Sequence, residues 1–134
     1  LRTRVDDAGF QESSGPAATF VRGQRLLRRP PHTVTAGASI DRLARTHLEF
    51  SASRVGPRDD RDFSSFPATA VELAAYTRVD VAGEYRLSAR EGIWRSAALT
   101  VRVENALGAG YQEIAGFPAP GRLALVGVRL GTSR

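Results

Sequence analysis

Apolar side chains recur at every second position through five separate stretches of this chain, and that period belongs to β-strands. The helical period finds little support anywhere. In Tyr76–Leu87, Val79, Val81, Tyr85 and Leu87 fall on one face, while Arg78, Asp80, Glu84 and Arg86 fall on the other. Ser96–Leu107 sets Leu99, Val101, Val103 and Leu107 against Thr100, Arg102 and Glu104. Thr33–Asp41 sets Val34, Ala36, Ala38 and Ile40 against Thr33, Thr35, Ser39 and Asp41. In Thr46–Gly56, Leu48, Phe50 and Ala52 oppose Glu49, Ser51 and Ser53. The last stretch, Arg122–Thr132, alternates more weakly. Ala124, Val126, Val128 and Leu130 share one face, and Leu125, Gly127 and Arg129 share the other. The predicted strands are therefore 33–41, 46–56, 76–88, 96–107 and 122–132.

Links between these strands alternate in length. Those near Arg42–Arg45 and Ser88–Arg95 are short, whereas 6–31, 57–75 and 108–121 are long and rich in Pro, Gly, Asp and aromatic residues. Short and long links on opposite ends describe an antiparallel meander with one elaborated rim. Alternation alone leaves two architectures open. A soluble sheet turns its apolar face inward; an outer-membrane barrel turns it outward to lipid and lines the lumen with charge.

Composition narrows the chemistry. With 134 residues one ordinary domain is expected. No cysteine is present, which excludes disulfide scaffolds, thiolate metal sites and Cys nucleophiles. No run of 18 apolar residues occurs, so no membrane-spanning helix is predicted. The chain opens Leu-Arg-Thr-Arg-Val without Met or an apolar leader, and is expected to be cut from something longer. The net charge is +5, and every basic residue is Arg. Those arginines are scattered among acids, as in Arg58-Asp59-Asp60-Arg61-Asp62, and no block of like charges forms.

Few residues suggest a site. Asp59, Asp60 and Asp62 form the one carboxylate cluster, without the spacing of a calcium loop. A solvated turn with Arg58 and Arg61 as partners is the simpler expectation. His32 and His47 fall on different predicted strands, so no metal site is expected. Ser13-Ser14 and Ser64-Ser65 have no His-Asp partners by motif, and Gly108-Ala109-Gly110 is no phosphate loop. Trp94 and Tyr85 suit either an interfacial belt or core packing. No catalytic residue and no cofactor are predicted.

The last third carries a resemblance. Val103-Glu104-Asn105-Ala106-Leu107, then Tyr111-Gln112-Glu113, then Gly116-Phe117-Pro118-Ala119-Pro120-Gly121-Arg122, resembles the C-terminal end of TonB-dependent outer-membrane receptors. Arg28-Arg29-Pro30-Pro31-His32, Val55-Gly56-Pro57-Arg58-Asp59-Asp60 and Tyr76-Thr77-Arg78-Val79-Asp80-Val81 are similar to other segments of that family, nearest its cobalamin-receptor branch. The position of the family's terminal aromatic residue is Thr132 here.

The resemblance implies an all-β antiparallel meander forming part of a transmembrane β-barrel in the outer membrane of a Gram-negative bacterium. Such barrels have about 22 strands, so this chain would supply roughly a quarter. The family's role is TonB-energised uptake of a scarce, bulky nutrient such as cobalamin or a ferric siderophore. Its partners are membrane lipid, the nutrient, and TonB through a plug domain missing here. The long loops would face outward, bringing Arg58, Asp59, Asp60, Asp62, Tyr111, Gln112 and Phe117 toward the nutrient. Arg78, Asp80, Glu84, Arg86, Arg102 and Glu104 would face the lumen, with opposite charges paired between neighbouring strands. Residues 58–62, on a loop free of ladder bonds, would be dispensable for the barrel. The alternative is a soluble basic β-domain binding nucleic acid or another anionic partner. Dispersed charge and the lack of interleaved aromatic and basic residues argue against nucleic acid.

Overall fold

The structure is a computed structural model that describes residues 3–7, 21–43, 45–87 and 96–131. Trp94, Ser13, Ser14, Thr132, the link 88–95 and much of 6–31 lie outside the described residues.

Among the described residues nine strands follow in chain order: β1 (Thr33–Leu43), β2 (Thr46–Val55), β3 (Arg58–Asp62), β4 (Thr69–Leu73), β5 (Tyr76–Leu87), β6 (Ser96–Glu104), β7 (Gln112–Ile114), β8 (Phe117–Pro118) and β9 (Leu123–Gly131). No helix occurs among the described residues. Five strands form one sheet in the order β1-β2-β5-β6-β9, and β3-β4 and β7-β8 are two-stranded hairpins. The sheet does not close: β1 and β9 stand at its ends. The chain is an all-β antiparallel protein, as the alternation predicts.

Two compact units emerge. One gathers Leu1–Val34, Arg54–Tyr76 and Gly110–Ala119; the other gathers Thr35–Ser53, Thr77–Ala109 and Pro120–Arg134. The second unit holds most of the sheet, and register there divides its side chains cleanly. Val81 pairs with Val103, Tyr85 with Leu99, Leu99 with Val128, and Val101 with Val126. Directly opposed residues share a face, so these apolar groups lie together. Ala82–Arg102, Glu84–Thr100 and Ala98–Arg129 fall on the opposite face.

The apolar face is uncovered. Val126 and Val128 are 73% and 67% exposed, and Leu99, Val101, Tyr85 and Leu130 are exposed beside them. Among the described residues the buried apolar side chains are Val5, Leu73 and Ala98. A soluble domain of this length buries most of its apolar surface; this sheet displays it.

Three segments differ from the predicted boundaries. Residues 57–75 are not a plain loop, because β3 and β4 pair in full register from Arg58–Leu73 to Asp62–Thr69. Arg-Asp-Asp-Arg-Asp gives no strand signal, since Asp is depleted in strands; side-chain anchors described below hold it extended. The reading of 58–62 as free of ladder bonds is corrected accordingly, because these residues pair with β4. Residues 108–121 likewise contain the β7-β8 hairpin, which turns through Gly116 at φ 83°. Finally, β6 stops at Glu104 because Asn105 adopts φ 50°, a left-handed conformation that Asn tolerates better than most residues.

Asn105 is 2% exposed and clamps the following turn with both ends of its amide. Its Nδ2 donates to the Ala109 carbonyl and its Oδ1 accepts from the Ala109 amide, each at 2.9 Å. Its own amide donates to Asp80 at 2.8 Å. Replacing Asn105 by Ala removes two buried hydrogen bonds and strains the left-handed backbone. A loss of about 2 kcal/mol is expected, read as a lowered urea midpoint for the chain in detergent micelles. Asn105→Gly should recover the part due to backbone strain alone.

Candidate functional site

The first unit is braced by two buried charges that the sequence suggested were solvated. Asp60 is 1% exposed. Its Oδ1 accepts from Arg28 Nε at 2.9 Å and its Oδ2 accepts from the Ala115 amide at 2.8 Å. Arg28 adopts φ 59°, and its own amide donates to the Asp59 carbonyl at 2.8 Å. One carboxylate thus ties the 27–32 segment and the turn after β7 to β3. Burial pushes the Asp60 carboxyl up, but the Ala115 and Arg61 amides and Arg28 outweigh it and hold it below its ordinary value.

Arg58, 3% exposed, makes the second brace. Its Nη2 donates to the Gln112 carbonyl at 2.6 Å and lies 3.5 Å from a Glu113 carboxylate oxygen. Its guanidinium sits over the Tyr76 ring, 5.5 Å from the centroid. Tyr76 stacks on Tyr111 with centroids 3.9 Å apart and rings 13° from parallel, and its hydroxyl donates to Glu113. The three long connections are thereby locked together by charge-assisted bonds.

The loop residues singled out from sequence therefore divide. Arg58 and Asp60 are internal; Asp59 and Asp62 are half-buried; Gln112 is exposed, as is Phe117 at 70%. Asp62 accepts from the Ser64 amide at 2.8 Å, a bond that lowers its pKa. Gln112 Oε1 accepts from the Gly116 amide at 2.9 Å, closing its own hairpin. Tyr111 and Gln112 also line an open cleft of about 450 Å³ with Leu73 and Pro118. Sequence reasoning missed Arg28 and Tyr76. Both lie in segments noted for family resemblance, but nothing in the sequence marks Arg28 as left-handed and paired with Asp60, and Tyr76 reads as a strand residue.

On the second unit, the charged face of the sheet is self-paired. Arg78 donates through Nε to Asp80 at 2.9 Å and through Nη2 to Glu104 at 3.1 Å. Arg102 lies 2.9 Å from Glu104. Glu84 is 3.6 Å from Arg86 and 2.7 Å from Arg129. His47 places its two ring nitrogens 2.5 Å from Asp41 and 3.1 Å from Glu49. The six residues read as lumen-facing share one face with Asp41, His47, Glu49 and Arg129; of the six, Glu84, Arg86 and Arg102 line an open depression of about 680 Å³ together with those four. Among the described residues no cluster fit to hold a metal ion forms.

The Asp60 brace has a pH signature. Because its folded carboxyl ionises below the ordinary value of 3.8, it stabilises the first unit at neutral pH. That contribution is lost as pH falls through the lower, folded value. Asp60→Asn is expected to cost about 1–3 kcal/mol at pH 7. The gap in unfolding midpoint between the native chain and this variant should shrink as the pH is lowered to about 3.

No family model matches the chain. It is 27% identical over 101 residues to the protein named vitamin B12 transporter BtuB in three strains of Vibrio cholerae serotype O1. The match takes in 75% of this chain and spans only 15% of the relatives' length. These relatives are transporters and not enzymes, and the distant similarity to them agrees with the receptor-like motifs of the last third.

Proposed function

We propose that this chain is a wall segment of the β-barrel of a TonB-dependent outer-membrane receptor that takes up a corrinoid such as vitamin B12. One observation carries the reading: a long antiparallel sheet leaves its apolar face uncovered while its other face pairs its charges internally. Water penalises the first face and lipid favours it; a hydrated lumen suits the second. The strands of nine to twelve residues have the length a tilted membrane strand needs. Similarity to vitamin B12 transporters supports the substrate class, with a ferric siderophore as the other bulky nutrient to be tested.

In this reading β1, β2, β5, β6 and β9 cross the outer membrane, and Arg78, Asp80, Glu84, Arg86, Arg102 and Glu104 face the lumen. The β3-β4 and β7-β8 hairpins form the outer rim, where the nutrient is captured. Phe117, Gln112, Tyr111, Asp59 and Asp62 are the residues available to touch it; Arg58 and Asp60 hold the hairpins in shape. Uptake is energised by TonB acting on a plug domain carried outside this chain.

Two measurements test this. The urea-unfolded chain, diluted into phosphatidylcholine vesicles, should float with lipid and gain strand signal, and in plain buffer it should aggregate. A monodisperse, cooperatively melting monomer in buffer would overturn the membrane reading. In cells producing the parent protein, Phe117→Ala combined with Gln112→Ala should lower binding of labelled vitamin B12 at least several-fold, with unchanged outer-membrane abundance. Unchanged vitamin binding alongside reduced uptake of a ferric siderophore would redirect the substrate assignment.

A further inference from the structure

The cleft where β4 meets the β7-β8 hairpin lies wholly within the first unit, and two of its side chains have opposite hydrogen-bonding sense. Leu73, Ala74, Tyr111 and Pro118 make it largely apolar, and the stack on Tyr76 keeps Tyr111 in place. Gln112 enters from β7 and is pinned twice. Its carbonyl accepts from the buried Arg58 at 2.6 Å, and its Oε1 accepts from the Gly116 amide at 2.9 Å. With Oε1 so engaged, its Nε2 remains as a donor with no acceptor among the described residues. Glu72 enters from β4, and a carboxylate can only accept. Glu72 also stands directly opposite Asp59 in the β3-β4 ladder. Like charges so opposed destabilise a hairpin, and a donor brought to Glu72 relieves that cost.

We propose that this cleft recognises a primary carboxamide carried on an apolar arm. The N–H groups of the amide donate to Glu72, its carbonyl accepts from Gln112 Nε2, and the arm lies against Tyr111 and Pro118. Other groups fit less well. An ammonium would satisfy Glu72 but set its own donors against Gln112. A carboxylate, or the iron-bound oxygens of a siderophore, would accept from Gln112 but leave Glu72 facing acceptors. At about 450 Å³ the cleft is near the lower end for ligand sites, with room for one arm of a bulky nutrient. The inference rests on the receptor reading and sharpens it. Vitamin B12 carries several such amide arms around its macrocycle, so Glu72 becomes a specificity-determining residue beside Gln112.

The test compares vitamin B12 with its monocarboxylic acids, in each of which one peripheral amide is hydrolysed, on outer membranes carrying the parent protein. One of these isomers should bind the native protein about tenfold more weakly than the vitamin does, because its carboxylate then faces Glu72. Glu72→Gln should bring that acid to within several-fold of the vitamin, and Glu72→Ser, which also removes the charge, should do the same. Gln112→Glu keeps an acceptor for the Gly116 amide but removes the donor, and should weaken both ligands. A purely structural role for Glu72 would move vitamin and acid together. Equal abundance of each variant in the outer membrane separates these outcomes from misfolding. No discrimination against any acid isomer, or a preference for amide that both Glu72 variants retain, would overturn the inference and leave the receptor reading standing. Native membranes that bind no vitamin B12 would overturn the receptor reading and the inference with it.

Discussion

Each strand of this sheet must put alternate side chains on opposite sides, and β5 and β6 spend that constraint on segregation. Valine, leucine and tyrosine take one side and ion pairs take the other; β9 follows less strictly, with Leu123 and Leu125 beside Arg129 on the charged side. Every later feature follows from it. The apolar side is worth roughly 25 cal/mol per Å² only where water is removed, so an environment must supply what the chain does not. The charged side must not repel itself, and it does not. Arg78, Asp80, Glu104 and Arg102 alternate in sign along two neighbouring strands, and the pairs at 2.9–3.1 Å meet without a surplus.

The first unit obeys a different logic. Its hairpins are short, and a two-stranded hairpin is marginal by itself. Burying a carboxylate and a guanidinium there would be costly if either lacked partners. Asp60 has Arg28 and a backbone amide; Arg58 has a carbonyl, a carboxylate and an aromatic face, while its Nη1 is buried without a hydrogen bond. The outcome is a set of connections held in one shape by charge-assisted bonds.

Legibility in the sequence tracks the range of the interactions. The five sheet strands were plain because alternation is a local pattern with period two, visible in Val79-Asp80-Val81 or Thr100-Val101-Arg102-Val103. The β3 strand was invisible because Arg58–Asp62 is made extended by Arg28 and Ala115, far away in the chain. The spacing of the cluster suggests a solvated turn, and the burial of Asp60 depends on partners that no spacing announces. Asn105 stood inside a motif noticed for its resemblance alone. Its structural task, ending β6 and clamping the turn, could have been suspected from an Asn followed three residues later by Gly108, itself at φ 66°.

The bridge from Arg129 to Glu84 crosses a whole strand, passing over β6 where Ala98 and Thr100 keep the surface low and Gly127 leaves room for the Thr100 hydroxyl. Backbone ladders hold only nearest neighbours, and each could in principle slip by two residues without turning a face over. A tie between strands that are not neighbours behaves as a cross-brace in a lattice. Sliding β9 along β6 would carry Arg129 away from Glu84, so this pair adds to the cost of shear a small amount that the nearest-neighbour ladders alone do not carry.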